Sequence, residues 1–245
     1  MTMKLYGKNP VLERIRSAPG TIKKLYLRKR TELSEIVREA KKAGLRFESV
    51  EGPEIESICP GANTQGVVAE IKDFEYTPFS VLLSECLAFK TVIVFADEIT
   101  DPQNLGAIIR NLACLGGFSL AIPEHNSADV NETVLKVANG GENYVRIAMV
   151  KNTVSALRKA REDGLWIAGA DANGAADIRE ASWQYPLGVV IGSEGRGIRP
   201  GVVKELDESF SLPMDGARLS YNAAAASALF CYEIVRSRGT GQKGH

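Results

Sequence analysis

The sequence predicts an α/β chain: a small basic α/β module in front of a mostly parallel, helix-covered sheet. Two observations carry this. From residue 91 onward, short and fully apolar runs alternate with helical patterns, as strands buried on both faces do. And the net charge, zero from 30 Lys+Arg and 30 Asp+Glu, is split along the chain: residues 1–46 hold 13 basic and 4 acidic side chains, so the remainder is acidic.

The front module reads as residues 1–75. NPVLERIRSA (9–18) is a short helix, and IKKLYL (22–27) an alternating strand. TELSEIVREAKKAGL (31–45) places apolar residues at 33, 36, 37, 40 and 43, a helical stripe that stops at Gly44. RFESVEG and QGVVAEI (65–71) read as strands. DFEYTPF (73–79) is a linker, and residues 76–90 comprise it and a connecting helix, SVLLSECLAF.

The second module spans residues 91–240. Strand TVIVFADEI leads to helix DPQNLGAIIRNLACLGG, strand FSLAIP, a helix near 129–138 and another near 152–163. LWIAGAD, PLGVVIG and SFSLPM are further strands, PGVVKELDE a helix, and a last helix runs from about 222 to 237. The polar, Gly-rich RSRGTGQKGH frays.

Composition excludes several classes. With 245 residues, 44% apolar and 24% charged, the chain buries a core without disulfide or metal staples. No apolar run approaches a membrane span, and MTMKLYGKNP lacks the apolar core of a secretory signal. Cys59, Cys86, Cys114 and Cys231 form no CxxC pair, and His125 and His245 stand alone. The expectation is no metal site, inert and mostly buried thiols, and a reduced cytoplasmic setting. The run KKLYLRKR (Lys23, Lys24, Arg28, Lys29, Arg30, with Tyr26) suits a polyanion, because cations facing phosphates supply most nucleic-acid affinity. A solvated basic face is the blander alternative.

Ligands of parallel sheets sit at the carboxyl ends of strands, which directs attention to three segments. DEITDPQNLGAIIR (97–110) turns at Asp101-Pro102 and enters a helix near Asn104, with Arg110 six residues on and expected near Asn104 around the helix start, and Gly106 permitting close backbone approach. VVIGSEGRGIRPG (189–201) carries Gly192, Gly195 and Gly197 around Glu194; its GxxGxG spacing is neither the dinucleotide GxGxxG nor a Walker loop. SLPMDGARLSYNAAAASALFCYEIVR (211–236) puts Ser220 and Asn222 at a helix entrance, one of them an N-cap by default, before an alanine run that permits close helix packing.

In this order and spacing the three segments resemble the three motifs of the SpoU/TrmH-type RNA ribose 2′-O-methyltransferases, of the SPOUT class, over residues 90–237. YGKNPVLERIRS and QGVVAEI are similar to the RNA-binding module, related to a ribosomal protein, that precedes the methylase in the 23S rRNA branch. The resemblance implies a parallel-sheet domain with a C-terminal trefoil knot, a homodimer, RNA as partner (ribosomal before transfer RNA), and S-adenosylmethionine as cofactor. By motif position it implies Gly192, Leu212 and Tyr221 in the cofactor pocket, with Ile191, Gly195 and Met214 beside them, and Asn104, Arg110, Glu194, Ser220 and Asn222 as the catalytic set. It implies no metal. Three departures stand out: Asn111 where a small hydroxyl residue is common, Thr64 rather than His before Gln65-Gly66, and Tyr221 for a common Leu.

The residue types suit the chemistry. Arg110 is fitted to hold a phosphate and stabilise a developing oxyanion, not to act as a base, since guanidinium keeps its proton. Asn104, Asn222 and Ser220 are fitted to orient a ribose, and Glu194 to orient Arg110 or its loop. The competing readings are a catalytically inactive RNA-binding protein on the same scaffold, a base methyltransferase of the same class, and a dinucleotide oxidoreductase, which fails on glycine spacing.

Overall fold

The computed structural model describes residues 2–172, 174, 176–216 and 219–241. In chain order its elements are β1 (Thr2–Tyr6), α1 (Lys8–Ser17), β2 (Ile22–Arg28), α2 (Ser34–Lys42), β3 (Glu48–Val50), α3 (Gly52–Ile58), β4 (Val67–Lys72), α4 (Phe79–Phe89), β5 (Val92–Ala96), α5 (Pro102–Leu115), β6 (Phe118–Pro123) and α6 (Glu132–Ala138). There follow β7 (Ile147–Val150), α7 (Thr153–Glu162), β8 (Trp166–Ala170), β9 (Ala176–Asp177), β10 (Leu187–Ile191), α8 (Pro200–Val203), β11 (Glu208–Ser211) and α9 (Ala223–Gly241).

The front sheet has the order β1-β4-β2-β3, with β4 antiparallel to both neighbours and β2 parallel to β3. Strand β1 escaped the sequence pattern because Leu5 is its one fully buried residue, which leaves no alternation to read. Helix α3 escaped it because it opens on Gly52-Pro53, a turn signal, although Pro fits a first helical turn. In α2, Leu33, Ile36 and Ala40 are buried as the stripe requires, while Ala43 is the exposed C-cap.

The second sheet is parallel throughout, in the order β7-β6-β5-β10-β8-β11-β9. Every residue of β5 and β10 is buried, as strands covered on both faces must be. Each such Val, Ile or Phe contributes roughly 1.5–3 kcal/mol. From β5 the chain winds outward through β6 and β7; β8, β10 and β11 then fill the other side. The reversal of direction between β5 and β10 opens a crevice at their carboxyl ends.

The two sheets share a continuous apolar core. Strand β1 lies along α6: the Lys4 amide donates to Glu132 (2.6 Å) and Lys136 Nζ to the Tyr6 carbonyl (3.3 Å). The buried Arg14–Glu142 pair joins α1 to the turn after α6 at 2.9 Å; burial pushes the Glu142 carboxyl up while Arg14 pulls it back. The linker is pinned as well, since the Val130 amide donates to the Tyr76 hydroxyl. Among the described residues no helix is long and apolar enough to cross a membrane, and no cluster of metal-ligating side chains occurs.

Candidate active site

Three loops leave the carboxyl ends of β5, β10 and β11 and meet. A cavity of about 320 Å³ lies between the last two, within the range of small-ligand pockets. Ile191, Gly192, Glu194, Gly195, Leu212, Met214, Ser220 and Tyr221, all sequence-predicted site residues, line it. Gly192 is required there. A Cβ on it would stand 2.2 Å from the Gly197 carbonyl carbon, inside the wall of the turn. The turn closes on itself through paired Ser193 and Gly197 backbone bonds, with Gly195 and Gly197 at positive φ. The result is a pocket whose polar edges are mostly backbone and whose walls, Leu212, Met214, Tyr221 and Phe230, are apolar or aromatic. Such a pocket fits a nucleoside.

A second cavity, about 450 Å³, shares Ser193, Glu194, Arg196 and Ala223 with the first and extends over Glu98, Thr100, Asp101, Asn104 and Asn126. Asn104 joins the two. Its buried side chain (8% exposed) donates to Glu194 Oε1 at 2.9 Å. Asn104 is not the helix cap, because Asp101 caps α5 through the Gln103 amide; its amide is thereby left for Glu194.

The loops are braced from below by a pair the sequence did not flag. Asp97, fully buried after β5, holds the Arg199 guanidinium in a bidentate pair, with Nη2–Oδ1 at 2.5 Å. Arg199 also reaches Glu98 at 3.0 Å. These bonds hold the Arg199 guanidinium above its ordinary range. Two acidic residues after a strand and an Arg after a glycine turn were visible as residue types, but their pairing is a fact of the fold. Arg196 was likewise missed: it lines both cavities, and charge in a glycine turn was its one sequence signal.

Other predicted residues stand differently. Arg110 is exposed and lines neither cavity. The expectation that it sits beside Asn104 fails on helical geometry: six residues are about 600° of rotation and about 9 Å of rise, so the two face apart. Glu194 therefore has Asn104, not Arg110, as its partner. Asn222 caps α9, its Oδ1 accepting from the Ala225 amide at 2.7 Å; no bond ties it to Asn104. Asn111 donates to the Ala224 carbonyl, fastening α5 to the alanine-rich start of α9. Gly106 behaves as expected: a Cβ there would meet the Val134 carbonyl of α6 at 2.8 Å. Within the basic run, Lys29 is paired with Glu51 (3.0 Å), and the Lys24 ammonium is raised by Tyr26 and Glu70 beside it.

A parallel α/β sheet with a small-ligand pocket at the carboxyl ends of its strands, beside the switch point, is the architecture in which nucleotides and their derivatives are commonly bound. The comparisons with known proteins narrow the class. Residues 91–232 match the model of the SpoU rRNA methylase family, and residues 4–77 that of the RNA 2′-O ribose methyltransferase substrate-binding domain. YacO of Bacillus subtilis, which bears a TrmH family tRNA/rRNA methyltransferase name, is 32% identical over 237 residues, covering 95% of this chain and 94% of its own. A TrmH family relative from Staphylococcus haemolyticus is 32% identical over 240 residues, 96% and 95% of the two chains. In fold, the chain is similar to the SpoU methyltransferase AviRb of Streptomyces viridochromogenes in complex with AdoMet (TM-score 0.79, 23% identity, 98% of this chain and 92% of that one). It is similar also to the AdoMet-bound rRNA methyltransferase of Sinorhizobium meliloti (TM-score 0.79, 22% identity, 96% and 87%). The chain belongs to the SpoU rRNA methylase family, and that membership makes it an S-adenosylmethionine-dependent RNA methyltransferase of the TrmH/SpoU type.

Proposed function

We propose that this chain methylates a ribose 2′-hydroxyl of RNA, with 23S ribosomal RNA as substrate and transfer RNA as the alternative. The observation that carries the reading is the junction of two cavities at the Asn104–Glu194 hydrogen bond. The backbone-edged pocket suits S-adenosylmethionine: Leu212, Met214 and Tyr221 would flank its adenine, and Gly192 and Gly195 leave space for backbone contact. Bound there, the cofactor would supply an electrophilic methyl group carried on a cationic sulfur that serves as the leaving group, and the 2′-hydroxyl proton would pass to phosphate or water.

The chain's own residues do the rest. Glu194 fixes the Asn104 amide, and the pair orients a ribose in the adjoining cavity, while Ser220 contributes from the wall of the first. Holding the acceptor in line accounts for up to about 7–11 kcal/mol of a barrier. Arg196 offers a cation where both cavities meet, suited to the phosphate next to the target ribose. Asn222 contributes by setting the start of α9.

Arg110 enters this reading through a second copy. On α9, Leu229 (40% exposed) and Tyr232 (57%) lie three residues apart on one face, an apolar surface suited to a homodimer in which one protomer presents Arg110 to its partner's site. The same reading makes residues 1–75 the RNA-gripping module, 76–90 a connector and 91–240 the methylase, with the β10–α9 segment tied as a trefoil knot.

Mapping ribose methylation in total RNA from cells with and without the gene tests the proposal. Loss of one 2′-O-methyl mark in 23S rRNA is the expected result; loss of a base methylation, or of no mark at all, overturns it.

A further inference from the structure

Another cleft, of about 450 Å³, opens in the front module between α1, the end of β2, α3 and the turn before β4. Its cations are Lys8 and Arg28. Lys8 lies outside the basic run that the sequence singled out. Among the described residues neither side chain forms an ion pair within 4.0 Å, in contrast to Lys29 beside it; the Glu32 carboxylate, held down chiefly by its bonds to Ser34, also feels the Lys8 charge. The one acidic residue on the lining, Glu56, is engaged by the Gly61 amide at 2.8 Å. Arg28 lies flat against the backbone of Gly52, where a Cβ would stand 3.1 Å from its Nη2. A side chain at 52 would displace the guanidinium.

The floor is a strained turn. Gln65 (φ 52°) and Gly66 (φ 83°) are both left-handed, and the Val67 amide donates to the Thr64 carbonyl at 3.0 Å, the pattern of a type I′ turn. A left-handed non-glycine costs roughly 1–3 kcal/mol and persists where its surroundings enforce it. Here Gln65 Oε1 accepts from the Lys8 amide at 2.9 Å, locking the turn to the start of α1. That bond occupies Gln65 Oε1 and leaves its amide nitrogen free to donate, on a cleft lining that also carries the exposed Asn63. Two cations without a close ion-pair partner, beside the anchored amide of Gln65 and the exposed amide of Asn63, make a combination that matches phosphate on one side and a base edge on the other.

We propose that this cleft seats one unpaired nucleotide of the RNA substrate, its phosphate on Lys8 and Arg28 and its base against Asn63 and Gln65. The proposal rests on the chain's being an RNA methyltransferase and places a recognition contact away from the methylated ribose. The test uses the full-length protein, unmodified 23S rRNA transcribed in vitro, and filter binding at several salt concentrations, with calorimetry of S-adenosylmethionine alongside. Lys8→Ala/Arg28→Ala is expected to weaken RNA binding at least tenfold and to lower the slope of log affinity against log salt by about one, with cofactor affinity unchanged. Asn63→Asp, an exposed substitution that places a carboxylate in the cleft, is expected to weaken binding similarly. Should the double variant lose cofactor binding by misfolding, Asn63→Asp decides. Wild-type RNA affinity and salt slope in a variant that still binds cofactor overturn the cleft assignment alone. Absence of RNA binding by the wild-type chain overturns the reading beneath it.

Discussion

The Asn104 side-chain amide donates to the Glu194 carboxylate across 2.9 Å, tying the first turn of α5 to the glycine turn ninety positions further along the chain. The bond sits where the two cavities meet, so its loss should affect the reaction more than cofactor binding. Glu194→Ala is expected to lower kcat by ~10²-fold, the scale of one lost preorganised polar contact. Glu194→Gln, which keeps an acceptor for Asn104, should retain more. Single-turnover methyl transfer together with cofactor calorimetry separates the two effects; equal losses in both would assign Glu194 to the pocket wall instead.

Arg110 faces solvent in the single chain, so its contribution should depend on a second copy. Tyr232→Asp puts a charge on the apolar face of α9 and is expected to shift the chain from dimer to monomer in light scattering, and to abolish methyl transfer. Arg110→Ala should leave the dimer intact and still lose methyl transfer by orders of magnitude. Mixing a Glu194→Ala chain with an Arg110→Ala chain should restore part of the activity, because one of the two shared sites is then complete.

The Asp97–Arg199 pair braces the loops from beneath, and Asp97 is fully buried. Removing the guanidinium leaves the fully buried Asp97 carboxylate uncompensated, whereas Arg199 would keep Glu98, so Arg199→Ala is expected to cost about 3–5 kcal/mol. For a chain of this size that is a fall in Tm of roughly 6–20 °C, read by calorimetry.

Burial raises the Cys231 thiol from its ordinary 9.0 to about 12. The native state therefore keeps a proton that the unfolded chain gives up. That stability is fully present below pH 9 and is lost as pH rises towards 12. Cys231→Ala should remove this alkaline loss, visible as a smaller drop in Tm between pH 8 and pH 10, roughly the window where the unfolded thiol ionises. At neutral pH exposed Cys114 should alkylate rapidly, while buried Cys59, Cys86 and Cys231 resist until unfolding.

The parallel sheet was legible because fully apolar strands such as Val92–Ala96 and Leu187–Ile191 differ so plainly from the helices between them. Strand β1 and the two-residue β9 were not, since each buries too few side chains to show a period. Of the site, the residues that line the first cavity were legible because glycines and a strand end announce a loop. Position around a helix is harder to read: Asn104 and Arg110 looked adjacent in the chain and lie on different faces. Partnership is harder still. The Asp97–Arg199 brace spans a separation of 102 residues, and which of Ser220 and Asn222 caps α9 shows only in the bond from the Ala225 amide to Asn222.

The central claim is that methyl transfer to a ribose oxygen takes place where the Asn104 and Glu194 loops meet. The most direct measurement supplies the full-length chain with S-adenosylmethionine labelled in its methyl group and with unmodified 23S rRNA, digests the product to nucleosides and identifies the labelled one by mass spectrometry. The label should appear in a 2′-O-methylnucleoside with the wild-type chain and be nearly absent with Glu194→Ala. Label in a methylated base, or a Glu194→Ala chain that labels ribose at the wild-type rate, would contradict the claim.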